Sequence, residues 1–126
     1  MIVFVCRGNA SRSQMAEAIA RHLSNLKFES AGIEPAKRIS SKAKAVLKEI
    51  GIDWNGKPKP LTREMIENAD LIVAMCEGNF PKDKTIYWDI PDPMGKDLKF
   101  YRKVRDIIYE KVEELLNILN SNQKSP

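Results

Sequence analysis

The chain has little from which to build a metal centre or a disulfide scaffold. It carries two cysteines, Cys6 and Cys76, and one histidine, His22. Neither cysteine has a second cysteine or a histidine at ligand spacing, which argues against a zinc site. Two thiols far apart in sequence cannot staple a small secreted fold, and they fit a reducing compartment. No apolar run approaches the roughly 18 residues of a membrane span. The N-terminus opens on apolar residues rather than on a basic stretch ahead of a signal core. The expected location is therefore cytoplasmic, with no membrane partner. The net charge is only +4, and the basic residues are scattered without interleaved aromatics. That argues against a nucleic-acid partner and leaves a mildly positive surface suited to anionic substrates. No repeat or low-complexity stretch is present.

What the chain does have is concentrated in residues 2–13, Ile-Val-Phe-Val-Cys-Arg-Gly-Asn-Ala-Ser-Arg-Ser. Ile2 to Val5 read as a short buried strand. Gly8, Asn9, Ala10 and Ser11 are small or turn-tolerant, and the sequence turns helical after Ser13. Strand, small-residue loop and helix is a layout that aims successive backbone N–H groups at one point and so cradles an oxyanion. Here the cradle starts with a thiol, Cys6, and ends with a guanidinium, Arg12.

The rest of the chain alternates strands with helices. The spacing of Met15, Ile19, Leu23 and Leu26 predicts a helix over residues 13–24 with one apolar face, and Glu17 and Arg21 fall on another face. His22 on that helix has no partner in view and reads as a surface residue. Residues 27–30 predict a second strand ended by Ala31-Gly32. Ser40 or Ser41 caps a second helix, with Ala43, Val46, Leu47 and Ile50 buried and Gly51 ending it. Thr62 caps a third helix reaching Ala69, with Glu64 placed well against the helix dipole. Leu71 to Met75 read as a strand buried on both faces, as in parallel sheets. A fourth strand is expected over 85–88, then a Pro- and Gly-rich loop over 89–96. A last helix is expected over 97–119, with Phe100, Val104, Ile107, Ile108, Leu115 and Leu119 buried and residues 120–126 frayed. This pattern predicts one α/β domain with a parallel sheet. Sites in such sheets lie beyond the carboxyl ends of the strands. The Cys6 loop, Cys76 and the loop around Asp92 all sit at such ends.

A thiol at a helix N-terminus near an arginine is favoured as thiolate. Arg12 can grip two oxygens of an anion with its planar fork. Ser13 can donate to the sulfur, and Asn9 can brace the loop through its side chain. The plainer alternative is an inert buried cysteine after a strand. Attack by Cys6 on a phosphate monoester needs a proton for the leaving oxygen. Asp92, between Pro91 and Pro93, is the first candidate, with Asp89 and Asp97 as rivals. Asp97 reads better as the cap of the last helix, and a simple turn role for Asp92 stays open.

The stretch from Val5 to Glu17, with Cys6-Arg7-Gly8-Asn9-Ala10-Ser11-Arg12-Ser13 at its heart, resembles the signature of the low-molecular-weight protein tyrosine phosphatases and the related thioredoxin-coupled arsenate reductases. Ser30-Ala31-Gly32 and Asp92-Pro93 resemble further markers, in the same order, from Ile2 to about Leu116. The resemblance implies a single phosphatase-like domain over residues 1–119, a four-stranded parallel sheet with helices on both faces. It implies Cys6 as nucleophile, Arg12 as oxyanion binder and Asp92 as general acid. Residues 7–13 then form the phosphate-binding loop, and no metal or cofactor is needed. The substrate would be a phosphorylated protein or a small aryl phosphate.

Gln14, the residues 30–34 and Trp88 ahead of Asp92-Pro93-Met94-Gly95 are closer to the reductase branch. Cys76 falls where the reductases keep their first relay cysteine. Their further cysteine is missing from residues 77–81, so a three-thiol relay cannot form. Arsenate reduction would need a Cys6–Cys76 disulfide, or thioredoxin or a small thiol as reductant. Ser11 replaces a second loop cysteine found in many family phosphatases. Arg7 stands at the loop mouth, either favouring anions or simply solvated. The leading expectation is a phosphatase working through a phosphocysteine. Arsenate reductase is the alternative, followed by a non-catalytic phosphate-binding module.

Overall fold

The computed structural model describes residues 1–123. In chain order the elements are β1 (Ile2–Cys6), α1 (Arg12–Leu23), β2 (Phe28–Gly32), α2 (Ser41–Lys48), α3 (Arg63–Asn68), β3 (Leu71–Ala74), β4 (Thr85–Tyr87) and α4 (Leu98–Gln123), with a 3-10 turn at Lys82–Lys84. The strands form one parallel sheet in the order β2-β1-β3-β4. This is the expected single α/β domain.

β1 is buried along its whole length because it lies between β2 and β3 with side chains covered on both faces. Ile2, Phe4 and Cys6 pack on one side with α1, α2 and α4. Val3 and Val5 pack on the other with Ile72, Ala74 and Phe80, over which Met65 and Ile66 of α3 lie. Two-sided burial is why the run Ile-Val-Phe-Val carries no alternating polar residue. Phe4 stacks on Phe28 at 6.1 Å between ring centroids and meets Trp88 at 5.8 Å.

The helix caps follow the sequence signals. Ser40 Oγ accepts from Ala43 N, and Thr62 Oγ1 accepts from Met65 N. Asp97 Oδ1 accepts from Phe100 N at 3.0 Å and so caps α4, the role in which it reads best from the sequence. Gly51 ends α2 with φ of 84°, a value glycine reaches without a Cβ penalty.

Some expectations are corrected. β2 runs on through Ala31 and Gly32, which pair with Val5 and Cys6. Leu23 and Leu26 are exposed, because α1 ends at Leu23 and the chain leaves the core there. Glu17 does lie off the apolar face, as expected, and is buried at 6% exposure among hydrogen-bond partners. α4 continues to Gln123, past the predicted end at 119. The buried stripe of α4 runs through Tyr101, Val104, Ile108, Val112, Leu115 and Leu116, leaving Phe100, Ile107 and Leu119 half-buried at its margins. Of the tail expected to fray, residues 124–126 lie outside the described residues.

Candidate active site

The chain leaves β1 for β2 on one side and later returns to β3 on the other. The strand order therefore reverses between β1 and β3, and the crevice at such a switch point opens beyond the carboxyl ends of those strands. Cys6 is the last residue of β1, and Cys76 lies just past the end of β3. The loop between β1 and α1 hangs over this crevice.

The loop's carbonyls are tied down on one side. Cys6, Arg7, Gly8 and Ala10 each offer a carbonyl oxygen to the segment after β2, accepting from Ile33 N, Glu34 N, Ala36 N and Ser40 N at 2.8–3.3 Å. In a trans peptide the N–H points opposite to the preceding C=O. Anchoring those four carbonyls turns the amides of residues 7, 8, 9 and 11 away from the anchoring segment and into the loop's own bowl. The bowl also receives the N-terminus of α1, which begins at Arg12. Close approach of the two segments requires Gly32: a Cβ there would lie 2.8 Å from Arg7 O and 2.9 Å from Asn9 N.

The floor is a buried polar network. Cys6 is 3% exposed, and its Sγ lies 2.8 Å from Ser13 Oγ. Asn9 is fully buried at φ of 50°, in the left-handed region that asparagine tolerates better than most residues. Asn9 Nδ2 donates to Ser13 Oγ at 2.7 Å and to Ser30 Oγ at 2.9 Å. Its Oδ1 accepts from Gln14 Nε2 and from Lys59 N, both at 3.1 Å. Ser30 Oγ donates its hydroxyl hydrogen bond to Glu17 Oε1 at 2.6 Å, and Arg21 pairs with the other oxygen of that carboxylate. Glu17 closes the signature stretch, but nothing in the sequence assigns it a role in this floor.

Arg12 is anchored from beneath. Its Nη1 donates to Met75 O at 2.6 Å and to Ile90 O at 3.3 Å, at the ends of β3 and β4. Its Nη2 lies 3.6 Å from Asp92 Oδ2. Asp92 is half-exposed, and its Oδ1 accepts from Met94 N in a tight turn around Pro93. Asp89 instead lines a cavity of about 310 Å³ beside Arg12, with Cys76, Glu77, Tyr87 and Trp88. Ser11 Oγ faces Tyr101 OH at 3.4 Å. Arg7 points outward and pairs with exposed Glu34 at 2.8 Å, so its charge is already partnered. His22 is on the surface.

Both cysteines are free. Cys76 packs against the cluster on the far face of the sheet, with Val3, Val5 and Phe80. Burial pushes its thiol pKa up, and the neighbouring Cys6 adds to the rise, against smaller opposing effects of Arg12 and Arg7. Among the described residues, no three His, Cys, Asp or Glu side chains converge to hold a metal.

A thiol on the floor, amides around it, a guanidinium at the rim and a carboxylate beside that guanidinium can bind and attack a tetrahedral oxyanion. Residues 1–84 match the family model described as low molecular weight phosphotyrosine protein phosphatase. The chain belongs to that family. The family match stops short of Asp92, but matches to individual relatives run past it. The glutaredoxin arsenate reductase of Synechocystis is 33% identical over 125 residues, covering 91% of this chain and 95% of the relative. The YwlE arginine phosphatase of Geobacillus stearothermophilus superposes with a TM-score of 0.89 at 35% identity, over 97% of this chain and 94% of the other. An arsenate reductase of Archaeoglobus fulgidus does so with a TM-score of 0.83 at 36% identity, over 93% and 99%. This low molecular weight phosphatase family therefore includes similar proteins named for two chemistries, and the loop geometry is compatible with both. No helix among the described residues is long and apolar enough to cross a membrane.

Proposed function

We propose that this protein is a cysteine-dependent phosphatase acting on phosphorylated protein or a small aryl phosphate through a phosphocysteine. The Cys6 thiolate attacks phosphorus. The bond to the leaving oxygen breaks, and that oxygen takes a proton from Asp92. Asp92, now a carboxylate, removes a proton from water as the water attacks the phosphocysteine. The P–S bond then breaks, releasing phosphate and restoring the thiolate. Arg12 and the loop amides carry the oxyanion charge through both steps. Cys6, Arg12 and Asp92 supply nucleophile, charge and acid themselves, so the proposal requires no metal or cofactor. A reducing compartment such as the cytoplasm suits a site that depends on a free thiol.

The observation that carries this reading is the meeting of Arg12 and Asp92 at 3.6 Å over the loop. It brings acid and oxyanion binder to one rim. Similarity to proteins named arsenate reductase favours a second reading, in which Cys6 displaces water from arsenate. Cys76 or an outside thiol such as thioredoxin then attacks the Cys6 sulfur, so that As(V) leaves as As(III) and a disulfide forms. The raised pKa of Cys76 weighs against it as the attacking thiol, because exchange depends on the thiolate fraction.

The test is a set of parallel assays with an aryl phosphate, a phosphoarginine peptide, and arsenate with thioredoxin. Hydrolysis that vanishes in Cys6→Ser, falls about 10²–10⁴-fold in Asp92→Asn and persists in Cys76→Ser supports the phosphatase. Arsenite production that requires Cys76, with neither phosphorylated compound turned over, rejects it.

A further inference from the structure

The amide orientations behind Cys6 form a directional chain that begins at Trp54. Its indole Nε1–H, which can only donate, reaches Gln14 Oε1 at 2.8 Å. That contact turns Gln14 so that its Nε2 donates to Asn9 Oδ1. Lys59 N–H, a backbone donor that cannot reverse, reaches the same oxygen. With Oδ1 occupied by two donors, Asn9 must present Nδ2 to Ser13. Ser13 Oγ accepts that bond, which leaves its one hydroxyl proton free for Cys6 Sγ at 2.8 Å. Were Asn9 flipped, its oxygen would take the Ser13 proton and the sulfur would lose its donor.

We propose that Trp54 is a positioning residue that, through Gln14, reinforces the Asn9 orientation imposed by Lys59 N–H, and so helps keep Ser13 donating to the Cys6 thiolate. The local packing is built for the contact. Gln14 is buried at 1% exposure, and Gly56 folds so tightly over the pair that a Cβ there would overlap both Gln14 and Trp54. Trp54 itself is half-buried and touches the hydrophobic core, on the same connection between α2 and α3 that supplies Lys59 N–H, and its side chain meets the chain of hydrogen bonds at Gln14. The role applies to any chemistry that starts from the Cys6 thiolate. It therefore stands apart from the choice between phosphate and arsenate.

The experiment compares Trp54→Phe and Gln14→Met with the wild-type protein by three readouts: rate of Cys6 alkylation by iodoacetamide against pH, kcat and KM for an aryl phosphate, and Tm. Cys76→Ser is the common background, so that only Cys6 is alkylated. Trp54→Phe keeps the ring and removes the donor. Its alkylation profile is expected to move to higher pH, with kcat down about three- to ten-fold, the size of one neutral hydrogen bond, and KM little changed. Gln14→Met, which breaks the chain one link closer, is expected to shift the profile at least as far. A lower Tm with an unmoved alkylation profile in both variants would make the contact purely structural and overturn the proposal. Should Trp54→Phe fail to fold, the Gln14→Met profile decides alone. Alkylation reads the thiolate directly, so an inactive phosphatase with a shifted profile would reject the phosphatase reading while leaving this one intact.

Discussion

At the level of single residues, Asn9 bears the greatest burden. Its amide makes four hydrogen bonds, two donated and two accepted, which is all that the group can make. No water need enter, and the residue is fully buried. The left-handed backbone at this position would suit glycine equally well, so only the side chain explains an asparagine. Replacing it separates the two demands. Asn9→Gly relieves the φ of 50° but strands Lys59 N and Gln14 Nε2 and takes a donor from Ser13 and Ser30. Asn9→Ala strands the same groups and adds backbone strain. A stranded buried polar group costs about 1–3 kcal/mol. Urea denaturation should therefore show both variants destabilised, alanine more than glycine. Equal stability of Asn9→Gly and wild type would show that the amide network contributes nothing.

At the level of elements, much of this was legible. The two central strands, β1 and β3, appear as apolar runs without alternation because both sheet faces are covered there. Ser40, Thr62 and Asp97 cap their helices because each side chain reaches a free amide of the first turn. The misjudged stretches share one cause, which is that long-range packing overrides local appearance. Ala31 and Gly32 look like a strand ending, yet they pair with Val5 and Cys6. Glu17 falls off the apolar face of its helix, yet Ser30 and Arg21 hold it in the interior. Trp54 carried no signal at all, since a lone tryptophan in a polar loop does not announce its partner. Gly32 shows what the strand end is for. Its missing Cβ lets the loop backbone lie against β2, and Gly32→Ala would put a methyl within 3 Å of three backbone atoms. Backbone cannot swing aside as a side chain can. Overpacking of this kind costs about 1–3 kcal/mol. Because the displaced atoms belong to Arg7, Gly8 and Asn9, phosphate affinity should fall as well. Isothermal titration with phosphate tests it, and undiminished affinity in Gly32→Ala would separate the strand from the loop.

At the level of the whole molecule, ion pairs join parts of the chain that are remote in sequence. The N-terminal ammonium pairs with Asp70 ahead of β3. Glu49, just past α2, receives Arg102 through both carboxylate oxygens and Arg105 through one, which clamps α2 to α4. Hydrogen bonding from Arg102, helped by Arg105, lowers the Glu49 pKa below its ordinary 4.5. The N-terminus lowers that of Asp70 below 3.8. A carboxylate whose pKa is depressed in the folded state stabilises the fold above its unfolded pKa, and that stabilisation is lost as pH falls through the folded value. The contribution should thus be complete at neutral pH and disappear on the acid side of 4.5 for Glu49. Both groups are exposed, so salt should weaken it further. Glu49→Gln should therefore lower Tm at pH 7, and the gap to wild type should narrow steadily below pH 4.5 and shrink in 1 M salt. A gap of constant size down to pH 3 would mean that the arginines stabilise α4 by packing alone, with the carboxylate's charge irrelevant.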